Sequence, residues 1–187
     1  TVILFSSDHG DYLGDHGLIG KGQFFEASCH VPLIARMPGG PQGQSNRELV
    51  ALADVTPTML ALAGADVPDY MDFMPLPELG LPRACSDYLY GMMGGGWMCF
   101  DGRWKLCKYS TGEHMLFDLI EDPTEERNLL NDSACGDTYL RLDRALTEEI
   151  MRSTMASHHD KTVYDVDLSG DVDFGRSGWQ RTYPKSL

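Results

Sequence analysis

The chain has 187 residues, of which 42% are hydrophobic, and it carries a formal net charge of -13. This length and apolar content are sufficient for about one domain with a real core. The acidic balance argues against nucleic acid or an anionic membrane as a partner, because neither attracts a negative surface. No run of about 20 apolar residues occurs, so we expect no membrane span.

The first predicted element is a strand over Val2 to Phe5, an unbroken apolar run typical of a strand buried on both faces. It ends in the polar stretch Ser6 to Gly10, where the glycine permits a sharp turn. In open α/β sheets, sites are built at the carboxyl ends of parallel strands. An adjacent carboxylate and imidazole can direct two ligands at one cation there, so Asp8 and His9 are candidate metal ligands. The alternative is a turn or cap without a metal.

A second polar cluster extends from Gly14 to Gly22 and contains another acid–imidazole pair, Asp15-His16. It also contains Lys21, which stands between two glycines, 13 residues after Asp8. That separation allows the chain to loop back over a metal-bound oxyanion. A solvated loop is the alternative interpretation of this lysine.

Two further elements are predicted before the middle of the chain. Val31 to Arg36 has the pattern of a strand, which the stretch Met37 to Pro41 ends. Leu49 to Ala63 is predicted to be a helix, with Asp54 or Thr56 as its N-cap. Its buried face is predicted to consist of apolar side chains, namely Val55, Met59, Leu60 and Leu62.

The second half of the chain is predicted to contain a small antiparallel sheet. Residues 67–96 begin with a proline- and methionine-rich stretch and are interpreted as a loop or linker. Trp97 to Phe100 and Arg103 to Tyr109 flank Asp101-Gly102, a pattern typical of a hairpin with a type I′ turn. Met115 to Asp118 is predicted to be a further strand.

A helix capped by Asp137 is predicted next, and its apolar face would consist of Tyr139, Leu142, Leu146 and Ile150. From Ser153 to Leu187 we expect an extended tail. The adjacent His158 and His159 are interpreted as surface residues rather than as a ligand pair, because neighbouring side chains in an extended chain diverge.

The ordered string from Ser7 to Ile34 resembles the type I sulfatases of the alkaline phosphatase superfamily. Residues 7–18 are similar to the family's S-D-H-G-E-x-L-G-E-H-G-L, and Lys21 falls at the lysine that follows. Val31-Pro32-Leu33-Ile34 is similar to the family's R-V-P-L-I strand, with His30 where arginine is common. Residues 54–64 and 116–129 resemble the later strings D-L-x-P-T-L-L-x-L-A-G and L-Y-D-L-x-x-D-P-x-E-x-x-N-L.

This resemblance implies an alkaline-phosphatase-like α/β fold. The chain would supply the C-terminal part of the central mixed sheet and a small antiparallel C-terminal sheet with a packed helix. The implied divisions are a C-terminal part of the catalytic α/β domain, a loop or linker, a sheet-and-helix subdomain and an extended tail, at residues 1–66, 67–96, 97–152 and 153–187.

The resemblance also implies hydrolysis of a sulfate ester, in a small molecule or a sulfated glycan, with one divalent cation. Asp8 and His9 match two metal-ligand positions of the family, whose cation is usually calcium. The cation could be calcium, manganese or magnesium. Because calcium prefers oxygen donors, the imidazole of His9 shifts the choice toward manganese or another transition metal. Lys21 matches the lysine that neutralises the sulfate oxygens together with the cation. His16 could face the same pocket or could stabilise a turn.

The nucleophile of the family is a formylglycine made from cysteine or serine in a C/S-x-P-x-R motif. No cysteine of the chain begins that motif, since Cys29 is followed by His30-Val31 and Cys85 by Ser86-Asp87. We therefore expect a C-terminal part of a sulfatase whose formylglycine lies in an absent N-terminal half, and that half would be its partner. Two alternatives stay open: a phosphonate monoester or phosphodiester hydrolase of the same superfamily, and a noncatalytic remnant that binds a partner.

Two expectations concern the surroundings of the chain. Because an apolar strand left at an edge pairs with another chain, we expect possible self-association through the Val2 to Phe5 strand. The cysteines are odd in number, lack the spacing of metal-binding pairs and are interpreted as mostly reduced; they are Cys29, Cys85, Cys99, Cys107 and Cys135. Reduced cysteines favour a cytoplasmic setting, and any targeting signal would lie upstream of Thr1.

Overall fold

The structure is a computed structural model that describes residues 1–68, 71–77 and 86–161, with side chains through Met155. Its strands and helices, in chain order, are β1 (Ile3–Ser6), α1 (Glu26–Cys29), β2 (Leu33–Arg36), α2 (Val55–Leu62), β3 (Leu89–Met93), β4 (Gly96–Phe100), β5 (Trp104–Tyr109), β6 (His114–Asp118) and α3 (Gly136–Lys161). Short 3-10 turns cover Asp15–Gly17, Leu52–Asp54 and Ser133–Cys135. The chain divides into two units, Thr1–Asp143 and Arg144–Leu187.

The first two strands form an antiparallel ribbon, in which Phe5 lies opposite Ile34 and Ile3 opposite Arg36. The prediction that the β1 side chains are buried on both faces is wrong for this chain, because Ile3 is 52% exposed and Phe5 58% exposed. Within the described residues, only β2 pairs with β1, and no second layer covers this face. Self-association through the exposed apolar face stays a prediction.

The second sheet is a four-stranded antiparallel meander in the order β3-β4-β5-β6. β3 lies in a stretch that the sequence pattern assigns to a loop or linker. The hairpin between β4 and β5 is confirmed, but its turn is not type I′. Its central residues are Gly102 and Arg103, because Asp101 pairs with Trp104 through a 3.2 Å backbone hydrogen bond. Of these residues only Gly102 has a positive φ, of 94°, whereas a type I′ turn needs two such residues.

One face of this sheet carries fully buried apolar side chains. Leu106 of β5 lies opposite Cys99 of β4 and Leu116 of β6, and all three have no exposed surface. Lys108, which is on the same face, forms an ion pair with Asp143 at 2.5 Å, so the first turns of α3 lie against this face. Burial raises the pKa of the Cys99 thiol to about 12, which agrees with a reduced, apolar role.

The opposite face of the sheet holds the segment that follows β1. Phe117 of β6 packs against Phe25, with ring centroids 6.0 Å apart, in a cluster that includes Tyr12. Phe24 lies over Tyr109 of β5, with ring centroids 5.9 Å apart. The sheet therefore serves as the platform on which the polar segment between β1 and β2 is held.

The helix α2 is shorter than predicted and its buried face is different. Pro57 and Thr58 are buried, whereas Met59 is exposed, so the prediction of an apolar buried face is wrong there. The Thr58 hydroxyl donates to the Asp54 carbonyl at 2.6 Å and accepts from the Leu76 amide at 2.8 Å. Asp54 accepts hydrogen bonds from backbone amides and so has the architectural role that the resemblance implies.

The predicted apolar face of α3 is confirmed, because Leu142 and Leu146 are fully buried. The helix continues to Lys161, so the prediction of an extended tail from Ser153 is wrong for its first residues. The rest of that tail, and the side chains of the two adjacent histidines, lie outside the described residues. In the second unit, α3 carries a surface ion pair between Arg144 and Glu148 at 3.0 Å. None of the described helices has the length and apolar character needed to cross a bilayer.

Candidate active site

The candidate metal ligands lie directly after β1. The side chain of Asp8 is 82% exposed and that of His9 is 37% exposed, so both can be reached from solvent. Nε2 of His9 lies 3.4 Å from Oδ2 of Asp8. The Ser7 hydroxyl donates to the His9 carbonyl at 2.8 Å and steadies the turn that brings the two side chains side by side.

The orientation of the His9 ring is set by its other nitrogen. Nδ1 lies 2.7 Å from the Gly10 carbonyl, which can only accept, so Nδ1 must carry the hydrogen. In the neutral imidazole, Nε2 is then an acceptor that faces a carboxylate oxygen of Asp8. Two acceptors that face each other suit a cation between them, and a backbone carbonyl on the second ring nitrogen is the usual support of a metal-binding histidine.

The segment Gly10 to Gln23, which we call the Lys21 loop, folds back on itself like a hairpin. The Tyr12 amide donates to the Gly20 carbonyl and the Gly14 amide to the Leu18 carbonyl, both at 2.9 Å. The buried Tyr12 hydroxyl accepts from the Gln23 amide at 2.7 Å and donates to the Gln23 carbonyl at 3.0 Å. These contacts hold both ends of the loop. Lys21 therefore lies between two residues, Gly20 and Gln23, whose backbone groups are bonded to Tyr12.

The predicted site residues are not joined by direct contacts. Lys21 is exposed, and within the described part of the chain no hydrogen bond or ion pair connects Lys21 or His16 to Asp8 or His9. The His16 ring stacks on Phe25, with ring centroids 3.8 Å apart and the planes within 11°. This stacking favours a role for His16 in shaping the Lys21 loop, and a role in the pocket stays a prediction.

Glycine is needed at position 10 because the backbone of α1 passes very close to it. Its φ is not positive, so a left-handed turn is not the reason. Its amide donates to the Ser28 carbonyl at 2.9 Å, which draws the start of the Lys21 loop onto α1. A Cβ at this position would lie 1.9 Å from the carbonyl oxygen of Ala27. The glycine of the Ser-Asp-His-Gly string therefore sets the distance between β1 and α1.

We expect Gly10→Ala to lower the free energy of unfolding by about 1 to 3 kcal/mol, because the backbone must move to admit the methyl group. Urea unfolding followed by circular dichroism measures this change. Gly94→Ala is the matched control, since a Cβ there has nothing within 4 Å, and we expect a change within about 0.5 kcal/mol. Equal effects of the two substitutions would contradict the steric explanation.

Behind the Lys21 loop lies a buried charged group, which we call the Lys105 cluster and which consists of Lys105, Glu26 and Glu125. Lys105, on β5, has a side chain only 2% exposed, and its Nζ lies 2.7 Å from Oε1 of Glu26 and 2.5 Å from Oε1 of Glu125. The contact with Glu125 is an ion pair between two almost completely buried side chains. Oε2 of Glu125 accepts from the backbone amide of Glu26 at 2.6 Å.

Charge compensation holds Lys105 in its ionised form. Burial disfavours the ammonium, but the nearby carboxylates of Glu26 and Glu125 outweigh this effect and raise the pKa of Lys105 above its ordinary value. The sequence pattern does not mark these three residues as a group. A weak signal exists at Lys105 alone, a charged residue inside the apolar pattern of a predicted strand.

The fit of a metal ion to this chain is partial. Asp8 and His9 offer one carboxylate and one imidazole, a donor set that suits a divalent cation such as manganese. Among the described residues, no group of three or more histidine, cysteine or acidic side chains lies close enough to hold a metal. Any complete coordination shell would need ligands in addition to these two.

Comparison with known protein families and curated sequences gives consistent results. Residues 1–65 match the sulfatase family. The arylsulfatase of Clostridium perfringens (strain 13 / Type A) is 33% identical over 161 residues, which cover 80% of this chain and 34% of that protein. The chain thus spans about a third of the length of this relative.

Solved structures show the same relationship in three dimensions. The structure of BT1596, a 2-O GAG sulfatase, is similar with a TM-score of 0.76 and 25% identity, over 88% of this chain and 39% of that one. The phosphonate monoester hydrolase of Agrobacterium radiobacter is similar with a TM-score of 0.66 and 30% identity, over 84% and 35%. The chain has the alkaline-phosphatase-like α/β fold of these proteins, belongs to the sulfatase family, and corresponds to the C-terminal portion of its relatives.

Proposed function

We propose that this chain contributes the cation-binding and anion-neutralising side chains of a hydrolase that cleaves sulfate esters. The observation that carries the proposal is the arrangement at the end of β1, where Nε2 of His9 faces Oδ2 of Asp8 at 3.4 Å. Family membership supports the reaction class. The proposed substrate is a small sulfate ester or a sulfated glycan.

In this mechanism, Asp8 and His9 hold one divalent cation, which we propose to be calcium, manganese or magnesium. The cation, when bound, supplies positive charge to the sulfate oxygens. The chain's own contribution is orientation. The Gly10 carbonyl fixes the His9 ring so that Nε2 stays available as a ligand, and the Asp8 carboxylate is held beside it.

Lys21 is proposed to contact a sulfate oxygen through its ammonium group. Its place in the Lys21 loop, exposed and without a partner among the described residues, leaves the ammonium available for an anion. Negative charge shifts onto the leaving group as the ester bond breaks, and a preorganised cation stabilises the transition state more than the ground state. The nucleophile, proposed to be a formylglycine, would come from a segment outside these 187 residues.

The test of this proposal is hydrolysis of an aryl sulfate by two forms of the protein. We expect no turnover by the 187-residue chain alone, and turnover by a form extended N-terminally to include a nucleophile motif. In the extended form, Asp8→Ala should abolish activity because it removes a metal ligand. If the chain alone turned over the ester and lost this activity in Asp8→Ala, the nucleophile would not lie outside the 187 residues, which would contradict the proposal. An inactive extended form would favour a noncatalytic role.

We expect the chain alone to bind a divalent cation weakly, with Kd of about 10⁻⁴ to 10⁻³ M, because two protein ligands leave most of the coordination shell to water. Calorimetric titration with calcium and with manganese measures this affinity. Asp8→Ala should remove binding, whereas Asp15→Ala, a change of an exposed carboxylate in the Lys21 loop, should leave it intact. Tight binding that survives Asp8→Ala would show that the ligands lie elsewhere.

A second candidate activity is phosphonate monoester hydrolysis, which the 30% identity to the Agrobacterium radiobacter enzyme supports. Both ester classes present tetrahedral anions to the same cation and lysine, so Asp8, His9 and Lys21 would keep their roles. Comparison of kcat/KM for an aryl sulfate and an aryl phosphonate monoester, measured on the extended form, distinguishes the two activities.

A further inference from the structure

The Lys105 cluster differs from the other ion pairs of the sheet because it is buried and joins three distant parts of the chain. Glu26 opens α1, Lys105 is the second residue of β5 and Glu125 follows β6. The cluster contains one ammonium and two carboxylates. The buried Glu125 has Lys105 as its ion-pair partner, whereas Glu26, whose side chain is 29% exposed, also lies 2.8 Å from Nδ1 of His30. Removing one partner of a buried charge group leaves the others uncompensated, which is far more costly than losing a surface pair.

The cluster reaches the Lys21 loop through Phe25 and Glu26. Oε2 of Glu125 accepts from the Glu26 amide at 2.6 Å, and this bond fixes the first turn of α1. Phe25, the adjacent residue, stacks on His16 and packs edge-on against Tyr12, with ring centroids 6.3 Å apart. The Tyr12 amide in turn bonds to the Gly20 carbonyl, directly before Lys21.

The conformation of Glu125 shows that this contact is built into the fold. Its φ is 59°, a left-handed value that is uncommon for a residue with a side chain, and its side chain is almost completely buried. Residues in such conformations persist where the surrounding contacts determine them. Here those contacts are the ammonium of Lys105 and the amide of Glu26.

We propose that Lys105, Glu26 and Glu125 are positioning residues, whose buried charge compensation holds the Lys21 loop in the conformation that presents Lys21. The importance of Lys21 rests on the proposed function, but the coupling between the cluster and the loop does not. Among the described residues, contacts lead from the cluster to the Lys21 loop through Phe25 and Tyr12, so the cluster acts through these residues and not by contact with a substrate.

The chain offers a matched control for Lys105 on the same strand. Lys108, three residues later, projects from the opposite face of β5 and pairs with Asp143 at 2.5 Å, with 30% of its side chain exposed. Lys105→Met and Lys108→Met therefore remove the same charge from the same strand. Only Lys105→Met removes the charge that faces α1 and the Lys21 loop.

Amide hydrogen exchange of the 187-residue chain, measured by NMR, tests the proposal. In Lys105→Met, the exchange rates of the Tyr12, Gly14 and Gln23 amides should rise at least about tenfold relative to those of the β4 and β5 amides, which report the change in global stability. The His16 ring protons should also lose the shift that stacking on Phe25 produces. Lys108→Met should change neither readout.

A second substitution that removes a carboxylate distinguishes the loss of charge compensation from the loss of the packing of the Lys105 side chain. In Lys105→Met/Glu125→Gln, the glutamine oxygen can still accept from the Glu26 amide, and one uncompensated carboxylate is gone. Loop exchange relative to the β4 and β5 amides should return to within about threefold of its value in the unsubstituted chain. If the double variant exchanges as fast as Lys105→Met, charge compensation is not the cause and the proposal is wrong.

Two further outcomes are decisive. If loop and sheet amides accelerate equally in Lys105→Met, the cluster stabilises the whole unit without positioning the loop, and the proposal is overturned. If Lys105→Met does not fold, Glu125→Gln alone should accelerate the loop amides by about threefold relative to the sheet, and no difference would overturn the proposal. Because exchange needs no turnover, failure of the sulfate-ester assay would leave this result unaffected.

Discussion

Lys21→Ala is expected to lower kcat/KM for an aryl sulfate by about 10²- to 10³-fold, the loss seen when one preorganised charge-stabilising donor is removed. The proposed physical reason is that the ammonium interacts more strongly with the charge that develops in the transition state, as the ester bond breaks, than with the bound ester. The measurement is steady-state hydrolysis by the form extended to include a nucleophile motif. The loss should appear mainly in kcat, since the interaction strengthens as the bond breaks.

Two variants control this experiment. Lys21→Arg should recover only part of the activity, because a planar guanidinium does not replace a compact point charge. Ile19→Ala changes an exposed, uncharged residue of the Lys21 loop and should alter kcat/KM by less than about threefold. Near-normal kinetics of Lys21→Ala would contradict this role and would support the alternative interpretation, in which Lys21 is a solvated loop residue.

Lys105→Met is expected to lower the free energy of unfolding by about 3 to 5 kcal/mol, because it leaves the buried carboxylate of Glu125 without its cation and removes the buried partner of Glu26. Lys108→Met should cost about 1 kcal/mol or less, since that ion pair is partly solvated. Urea unfolding of both variants, followed by circular dichroism, gives the comparison. A loss of the same size in both variants would show that burial of the cluster does not govern its contribution.

The sign of the pH dependence follows from the pKa of Lys105. Burial alone would lower this pKa, but the carboxylates of Glu26 and Glu125 outweigh burial and raise it above the ordinary value. A cation with a raised pKa stabilises the fold at neutral pH, and this contribution is lost as the pH rises through the raised value. Lys105→Met should therefore differ from the unsubstituted chain at pH 7 and less so in strongly alkaline solution.

The elements that the sequence predicts well are those with a strong local pattern. The apolar run at the start of the chain, the hairpin around Gly102 and the buried face of α3 at Leu142 each follow from residues adjacent along the chain or one turn apart. Placement of Asp8 and His9 at the end of a strand also follows locally, because the change from apolar to polar residues marks where β1 ends. Resemblance of the ordered motif string identified the family.

The local sequence pattern gave wrong predictions of burial where contacts with distant residues decide which side chains are exposed. The helical pattern predicted Met59 as buried, yet Thr58 is the buried residue because it bonds to the distant Leu76 amide. The sequence pattern favours a turn at Gly10. In the structure, a glycine is needed there because any side chain would clash with the carbonyl of Ala27. Neither neighbour can be inferred from the periodicity around these positions.

The tertiary structure alone decided how the candidate site is supported. Lys105 meets Glu26 across 79 residues, and Glu125 meets the amide of Glu26 across 99 residues. Charged residues in a single sequence are ordinarily solvated, so nothing in the order of residues marks these three as buried partners. By itself the sequence identified the candidate side chains for a cation and a sulfate, because that chemistry belongs to residue types and their local order. Which buried contacts hold the Lys21 loop was decided by the fold, because opposite charges removed from water must find each other in space and not along the chain.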